Sequence, residues 1–307
     1  MKIPAFTPNR MLKPTPKERL TAHPAVVLLL FLAVLTASEL GRILLASAAS
    51  FLIPHSANRS VQLLISLFAT SATVGVVLLY CLAAERRSLT SLGLNRRGAL
   101  SEYALGLLGG LVLFGTAVLI CGATDTLTVA REDAPLPWGM LLLFFLGYLI
   151  QGMSEELLCR SYLMVSLSRG LPLWACAMLN ALLFSLIHLG NPGVSFIALV
   201  NIFLFGLFAS FLTLRRGSIW MVGGLHSMWN FSQGNLFGIS VSGIAGSPSL
   251  LRTELTAGEW QGLLNGSAFG LEGGLAVTAV LLIACCIVVV MPTKKTEIPS
   301  SNSELPS

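Results

Sequence analysis

Two adjacent carboxylates and an arginine interrupt an otherwise apolar stretch in the middle of this chain. Arg160 follows Glu156 by four positions, a spacing that puts both on one helix face and predicts an ion pair. Glu155 points about 100° away around the same helix and lacks that partner. Two acids are more than membrane anchoring requires, so Glu155 is a candidate functional group. The alternative interpretation is an interfacial ion pair beside a solvated acid.

Two further apolar stretches carry the other candidate catalytic side chains. His188 follows Phe184 by four positions, and Asn230 follows His226 by four, so each pair shares a helix face. Taken singly, such residues can simply form hydrogen bonds between helices. Together with Glu155 they are the parts needed to hydrolyse an amide. The carboxylate serves as general base for water, one imidazole orients that water, and imidazole and amide N–H groups stabilise the oxyanion.

The elements that position these residues are predicted to be transmembrane helices. The chain is 54% hydrophobic and 11% charged, whereas soluble domains carry about 25% charged residues. A spanning helix needs about 20 mostly apolar residues. Stretches of this kind occupy residues 25–47, 61–84, 103–123, 137–159, 171–189, 194–214, 218–238 and 270–291. We therefore predict an all-α polytopic transmembrane bundle of about eight helices. Strands are not expected, because no segment shows the sustained alternation of a barrel strand.

Basic residues alternate between the connections of these helices. They concentrate in both tails and in the second, fourth and sixth connections. Those clusters contain Lys2, Arg10, Lys13, Lys17 and Arg19, then Arg86, Arg87, Arg96 and Arg97, then Arg169, Arg215 and Arg216, and finally Lys294 and Lys295. The pattern predicts an even number of spans with both termini in the cytoplasm. It also assigns the net charge of +5 to membrane topology rather than to nucleic-acid binding.

The chain is predicted to form a single membrane domain over residues 25–291. The Pro- and Ser-rich tails, 1–24 and 292–307, are expected to be disordered and cytoplasmic. The long connection at about 239–268 is expected to lie on the outer surface as a partial cover. Ala46-Ser47-Ala48 looks like a signal-peptidase site, but the leader is long and the apolar run exceeds the usual length, so we expect the first segment to be retained.

Small residues give two weaker signals. Gly106 and Gly110 form a G-x-x-x-G pattern, which is typical of closely packed membrane helices. The six cysteines have no C-x-x-C spacing and lie in apolar stretches. They are therefore predicted to be core residues rather than zinc ligands or a disulfide framework.

The three polar motifs resemble, in order, those of the CAAX protease and bacteriocin-processing family. This family is also called the CPBP intramembrane proteases and includes the prenyl-protein endopeptidases. The motifs are Glu155-Glu156-x-x-x-Arg160, Phe184-x-x-x-His188 and His226-x-x-x-Asn230. Residues 87–94, 188–192 and 214–220 also look similar to family segments, the last two to those of bacterial members. The likeness covers about residues 85–245, which would be the protease core of a protein in a bacterial plasma membrane.

The resemblance implies an eight-helix bundle with a cavity open to one leaflet and to the bulk phase. In such a protein Glu155 and His188 would activate water, while His226 and Asn230 would form the oxyanion site. Glu156, Arg160 and Phe184 would support them. The substrate would be a peptide or protein, with lipid-modified and membrane-embedded chains included. The bilayer would be the other partner, with no role for nucleic acid.

Two alternatives remain open. Many family names contain "metalloprotease", and Glu155, His188 and His226 are a conceivable Zn²⁺ ligand set. The H-E-x-x-H arrangement is absent and a metal-free mechanism uses the same residues, so no cofactor is expected. The second alternative is a non-proteolytic scaffold or immunity protein that keeps the motifs. A carrier is disfavoured, because carriers often repeat broken helices in both halves, whereas the polar residues fall here in the second half.

Overall fold

The computed structural model describes residue 9 and residues 11–12, 23–52, 58–132 and 135–291. The helices are α1 (Pro24–Leu52), α2 (Arg59–Ala69), α3 (Ser71–Leu79), α4 (Ala99–Ala123), α5 (Trp138–Glu156), α6 (Val165–Leu167), α7 (Leu173–Leu186), α8 (Phe196–Arg216), α9 (Trp220–Phe231), α10 (Glu259–Asn265) and α11 (Leu275–Val290). Two short strands are β1 (Leu127–Arg131) and β2 (Leu251–Leu255). Wider π-helical turns follow α3, α5 and α9 at Tyr80–Ala84, Leu157–Met164 and Ser232–Leu236. Single 3₁₀ turns occupy Ser267–Phe269 and Leu271–Gly273.

Each of the predicted apolar stretches contains a helix, and the all-α transmembrane fold is confirmed. Continuous helical segments long and apolar enough to cross a membrane are Pro24–Phe51, Arg59–Ala84, Ala99–Ala123, Trp138–Leu167 and Phe196–Arg216. The helices α7 and α11 are apolar but shorter. The helix α9 has 12 residues and its π-helical continuation has 5, so together they extend about 25 Å, less than the roughly 30 Å hydrocarbon core. The protein is therefore a multi-pass membrane protein in which some helices are too short to span alone.

Apolar side chains cover the outside of the bundle as well as its core. Trp229 and Phe114 are fully buried at the centre, with their ring centroids 5.3 Å apart in an edge-to-face arrangement. On the outside, leucines such as Leu44 on α1 and Leu119 on α4 are exposed. Large exposed apolar faces of this kind are stable against lipid and unstable against water.

Glycines bring α4 and α9 into backbone contact. A Cβ atom on Gly106 would lie 2.1 Å from a carbonyl oxygen of α9, and one on Gly110 would lie 2.3 Å from another. Gly224 on α9 is equally close to α4, with 2.3 Å between its ideal Cβ and a carbonyl oxygen. No larger residue fits at these positions without moving a helix. The G-x-x-x-G pattern thus fixes the depth and rotation of α9, the helix that carries two predicted site residues.

The paired strands are the part of the fold that differs from the sequence-based expectation. β1 and β2 pair antiparallel, with Leu127 opposite Leu255 and Arg131 opposite Leu251. Each strand has five residues, too few to show the sustained alternation that predicts a barrel strand. β1 lies in the connection after α4, and β2 lies in the connection after α9. Because the two strands pair with each other, these connections lie on the same side of the bundle. That placement requires an even number of crossings between them, as the basic-residue pattern predicts.

Three described residues of the predicted N-terminal tail pack against the bundle. Asn9, Met11 and Leu12 are buried. The side-chain amide of Asn9 donates to the Leu214 carbonyl at 3.0 Å, and Arg169 donates to the Leu12 carbonyl at 2.6 Å. This part of the tail therefore lies beside the basic connections. The predicted C-terminal tail, 292–307, lies outside the described residues.

Candidate active site

The predicted site residues come together around one cavity. It has a volume of about 630 Å³ and is lined by residues from α1, α2, α5, α8 and α9, among others. Glu155 lies in the last turn of α5, and His226 and Asn230 lie one turn apart on α9. His188 lies in the turn just after α7 rather than within the helix. All four residues line the cavity.

Glu155 lines this cavity and keeps one carboxylate oxygen without a hydrogen-bond partner. Its side chain is 24% exposed, and its Oε1 accepts a hydrogen bond from Nε2 of Gln151 at 2.5 Å. Its Oε2 is buried and has no hydrogen-bond partner. The nearest imidazole nitrogen to Oε2 is Nε2 of His226 at 3.7 Å, which is too far for a direct hydrogen bond. Glu155 can therefore accept a proton or a hydrogen bond from a bound molecule.

Glu156 belongs to a sealed cluster behind the cavity. Its side chain and that of Arg160 are both 0% exposed and form an ion pair at 3.1 Å. Oε1 of Glu156 also lies 2.8 Å from Nδ1 of His226. Because a carboxylate only accepts, Nδ1 carries the proton and Nε2 is turned toward Glu155. The ion pair predicted from the i, i+4 spacing is present, and it has the additional effect of orienting His226.

His188 is oriented by the backbone of its own turn. Its Nδ1 lies 2.7 Å from the Phe184 carbonyl oxygen, which can only accept, so Nδ1 carries the proton and Nε2 of a neutral ring is an acceptor. The ring centroids of Phe184 and His188 are 4.9 Å apart. The guanidinium carbon of Arg160 lies over the Phe184 ring, 4.4 Å from the ring centroid. Phe184 thus links His188 to the sealed cluster through a cation–π contact.

A π-helical turn accompanies two of the three site motifs. α5 ends at Glu156 and continues as the π-helical turn Leu157–Met164, and α9 continues as Ser232–Leu236. π-Helical turns are rare in proteins as a whole, but those that do occur are often found at functional sites. Hydropathy and residue spacing give no signal for them, so sequence reasoning assigned ordinary helix here.

Asn230 has a partner that the sequence did not single out. Its Nδ2 donates to Oε1 of Gln151 at 2.9 Å, and the same Gln151 donates to Glu155. Gln151 precedes Glu155 by four positions and so lies on its helix face. A polar side chain at that spacing in an apolar helix is the signal that would have identified it.

The hypothetical zinc ligands do not form a metal site in this geometry. Glu155 and His226 approach to 3.7 Å, while His188 makes no direct contact with Glu155. Within the described residues, no three His, Cys, Asp or Glu side chains are grouped closely enough to hold a metal ion. The donor types would suit zinc, but the three side chains are not grouped around one point.

The family comparison covers the segment that carries these residues. Residues 137–232 match the model of the type II CAAX prenyl endopeptidase Rce1-like family. The match begins beside α5 and ends just after α9, so it includes all three motifs. The resemblance to CAAX proteases is confirmed. The matched family implies a peptidase that acts on a peptide substrate. No curated protein matches the chain.

Two charged features of the cavity lie outside the matched segment 137–232. On α1, Arg42 donates to Oε2 of Glu39 through Nε at 3.0 Å and Nη2 at 2.6 Å, and both residues line the cavity. The test that singled out Glu155, a charge within an apolar stretch, identifies this pair too. Glu272 accepts from Nε1 of Trp229 at 3.0 Å and from the Ser242 hydroxyl at 2.7 Å. Glu272 therefore fastens part of the predicted cover, residues 239–268, to α9.

Proposed function

We propose that the protein is an intramembrane endopeptidase that hydrolyses a peptide bond with water activated by Glu155. The observation that carries this proposal is the carboxylate of Glu155, which lines a cavity together with two imidazoles and an amide and has one oxygen without a hydrogen-bond partner. A cavity in a bundle with an apolar exterior supports hydrolysis at the membrane. The CAAX-protease match over residues 137–232 supports the reaction class.

The first step requires a water molecule between two acceptors. Glu155 Oε2 accepts one proton of the water, and Nε2 of His188 orients it by accepting the other in a hydrogen bond. The oxygen of the water attacks the peptide carbonyl carbon as Glu155 takes its proton. Glu155 then returns that proton to the leaving amine as the C–N bond breaks. The two hydrogen bonds that leave Oε2 of Glu155 and Nε2 of His188 as acceptors support these roles.

The developing oxyanion requires N–H donors. Asn230 has two amide protons and engages one with Gln151, so the second is available. His226 donates through Nε2 only when its ring is doubly protonated, since Nδ1–H already serves Glu156. In that state the positive charges of His226 and Arg160 match the negative charges of Glu155 and Glu156. Preorganised donors of this kind stabilise charge that develops in the transition state.

We also propose that both chain termini lie in the cytoplasm of a bacterial cell. The motives are the alternation of basic residues and the contacts of Leu12 with Arg169 and of Asn9 with Leu214. Single cysteines introduced near positions 90 and 250 should react from opposite sides of the membrane, with position 250 outside. Labelling of position 90 from outside the cell would show that the topology is the reverse of the one proposed.

The decisive experiment compares membrane peptides from cells that express wild-type protein or Glu155→Ala at equal levels. The proposed activity predicts precursors that accumulate, and products that disappear, in the Glu155→Ala cells. The matched control is Asn180→Leu, which removes a buried amide that donates to Ser210 at 2.8 Å away from the cavity. Identical peptide profiles together with full biological function in Glu155→Ala would instead indicate a non-proteolytic scaffold.

A further inference from the structure

We infer that Gln151 is a positioning residue for the proposed peptidase reaction, because its side-chain amide connects the water-activating Glu155 to the oxyanion donor Asn230. The inference rests on the proposed function and extends it to a residue outside the three motifs. Nε2 of Gln151 donates to Glu155 at 2.5 Å, and Oε1 accepts from Asn230 at 2.9 Å. One side chain of α5 thus contacts a proposed reactive group on its own helix and another on α9.

Chemistry fixes the direction of this bridge. An ionised carboxylate offers only acceptors, so the amide group that faces Glu155 must be the NH₂ of Gln151. The oxygen of the Gln151 amide then faces Asn230, which must answer with its own NH₂. The charge of Glu155 therefore determines which end of the Asn230 amide is held against Gln151. This orientation of the Asn230 amide favours catalysis, because the second proton on Nδ2 remains free to donate to an oxyanion.

Without Gln151 the Asn230 amide loses this preference. Rotation of the amide by half a turn would exchange its NH₂ and carbonyl ends, and the carbonyl end repels an oxyanion. Glu155 would lose its donor on Oε1 as well, which would free its carboxylate to rotate. Gln151 is half-buried, and the Ser154 hydroxyl donates to its backbone carbonyl at 2.7 Å. Its effect on catalysis is exerted through Glu155 and Asn230, so turnover should fall while substrate binding is preserved.

The test uses purified full-length protein and two internally quenched peptides, one carrying a farnesylated cysteine and one unmodified. Gln151→Leu should lower kcat about 10- to 100-fold, less than the roughly 10²–10³-fold typical for complete loss of an oxyanion donor, with KM unchanged. Because Gln151 acts in part through Asn230, the double variant Gln151→Leu/Asn230→Ala should lose less activity than the product of the two single losses. The buried-amide control Asn180→Leu should keep wild-type kcat even if it unfolds at lower temperature.

Several results would overturn the assignment. Wild-type kcat in Gln151→Leu would remove the positioning role, and so would losses that multiply in the double variant. An equal loss of kcat in Asn180→Leu would show that helix packing, not the bridge, sets the rate. Thermal unfolding of the same single and double variants tests the Gln151–Asn230 bridge without activity, and additive losses would exclude it. A wild-type protein no faster than Glu155→Ala would instead contradict the proposed function itself.

Discussion

Glu155 and Glu156 are neighbours in sequence, yet they lie in two different regions of the molecule. The cavity face of α5 holds Glu155, which is 24% exposed and keeps one oxygen without a partner. The sealed face holds Glu156, which is 0% exposed and contacts both Arg160 and His226. A rotation of about 100° between successive helical residues produces this difference. Identical side chains can thus act as a reactive group on one face and as a support on the other.

The two regions should respond differently to substitution. A group on the cavity face can be hydrated, so its loss affects chemistry more than folding. A charge on the sealed face has its partner as its main compensation, and removal of that partner leaves a buried charge. The comparison therefore predicts kinetic defects from the cavity face and defects in accumulation from the sealed face.

The largest expected effect is on the cavity face. Glu155→Gln preserves shape and hydrogen bonding but removes the ability to accept a proton from water. We expect cleavage to fall about 10²–10⁴-fold, the usual contribution of a general base, while the amount of folded protein is unchanged. The measurement is the cleavage rate per folded molecule, with folding followed by size-exclusion profile and thermal unfolding.

The matched variant on the sealed face is Glu156→Gln, which makes the same chemical change one residue later. This variant should reduce the amount of protein that accumulates in the cell, because Arg160 loses its counter-charge. The molecules that still fold should cleave the substrate slowly. Equal folding and equal rate loss in Glu155→Gln and Glu156→Gln would mean that the two regions are not distinct.

The next effect in size concerns the sealed cluster alone. Arg160→Ala leaves Glu156 buried without its cation, and breaking a fully buried pair costs about 3–5 kcal/mol. Accumulation and unfolding temperature should therefore fall together with activity. Arg160→Lys keeps the charge but loses the planar stacking on Phe184. Its accumulation and unfolding temperature should therefore lie between those of the wild type and Arg160→Ala. An Arg160→Ala protein that is fully stable yet inactive would assign the guanidinium a direct role in the reaction.

The sequence predicted more of the cavity face than of its surroundings. Helix positions followed from apolar length, and Glu155, His188, His226 and Asn230 stood out because polar groups are costly in apolar helices. The contact between Glu156 and His226 was not predicted, because it depends on how α5 and α9 pack. G-x-x-x-G indicated close packing, but not the helix that would receive α4.

Other features were missed because the patterns that were sought average over many residues. Five-residue strands and π-helical turns are too short to alter a hydropathy profile. Burial of Asn9 and Met11 depends on a surface assembled by distant segments, which the Pro-rich composition of the tail does not reveal. Gln151 was not predicted because it belongs to none of the three motifs, although its spacing from Glu155 is visible in the sequence.

The smallest expected effect is that of metal removal, and it tests whether the cavity face works by proton transfer. Zinc hydrolases use three protein ligands that converge on one ion, whereas Glu155, His188 and His226 are not grouped in that way. We expect cleavage to be unchanged after treatment with phenanthroline, and purified protein to contain far less than one metal ion per chain. Glu155→Gln cannot make this distinction, since it would disable a zinc site as well. Loss of activity on chelation, with recovery on added Zn²⁺ and stoichiometric metal in the purified protein, would show that the three side chains move together around an ion. Glu155 would then be a ligand, and the contrast between the two faces of α5 would lie in metal binding rather than in proton transfer.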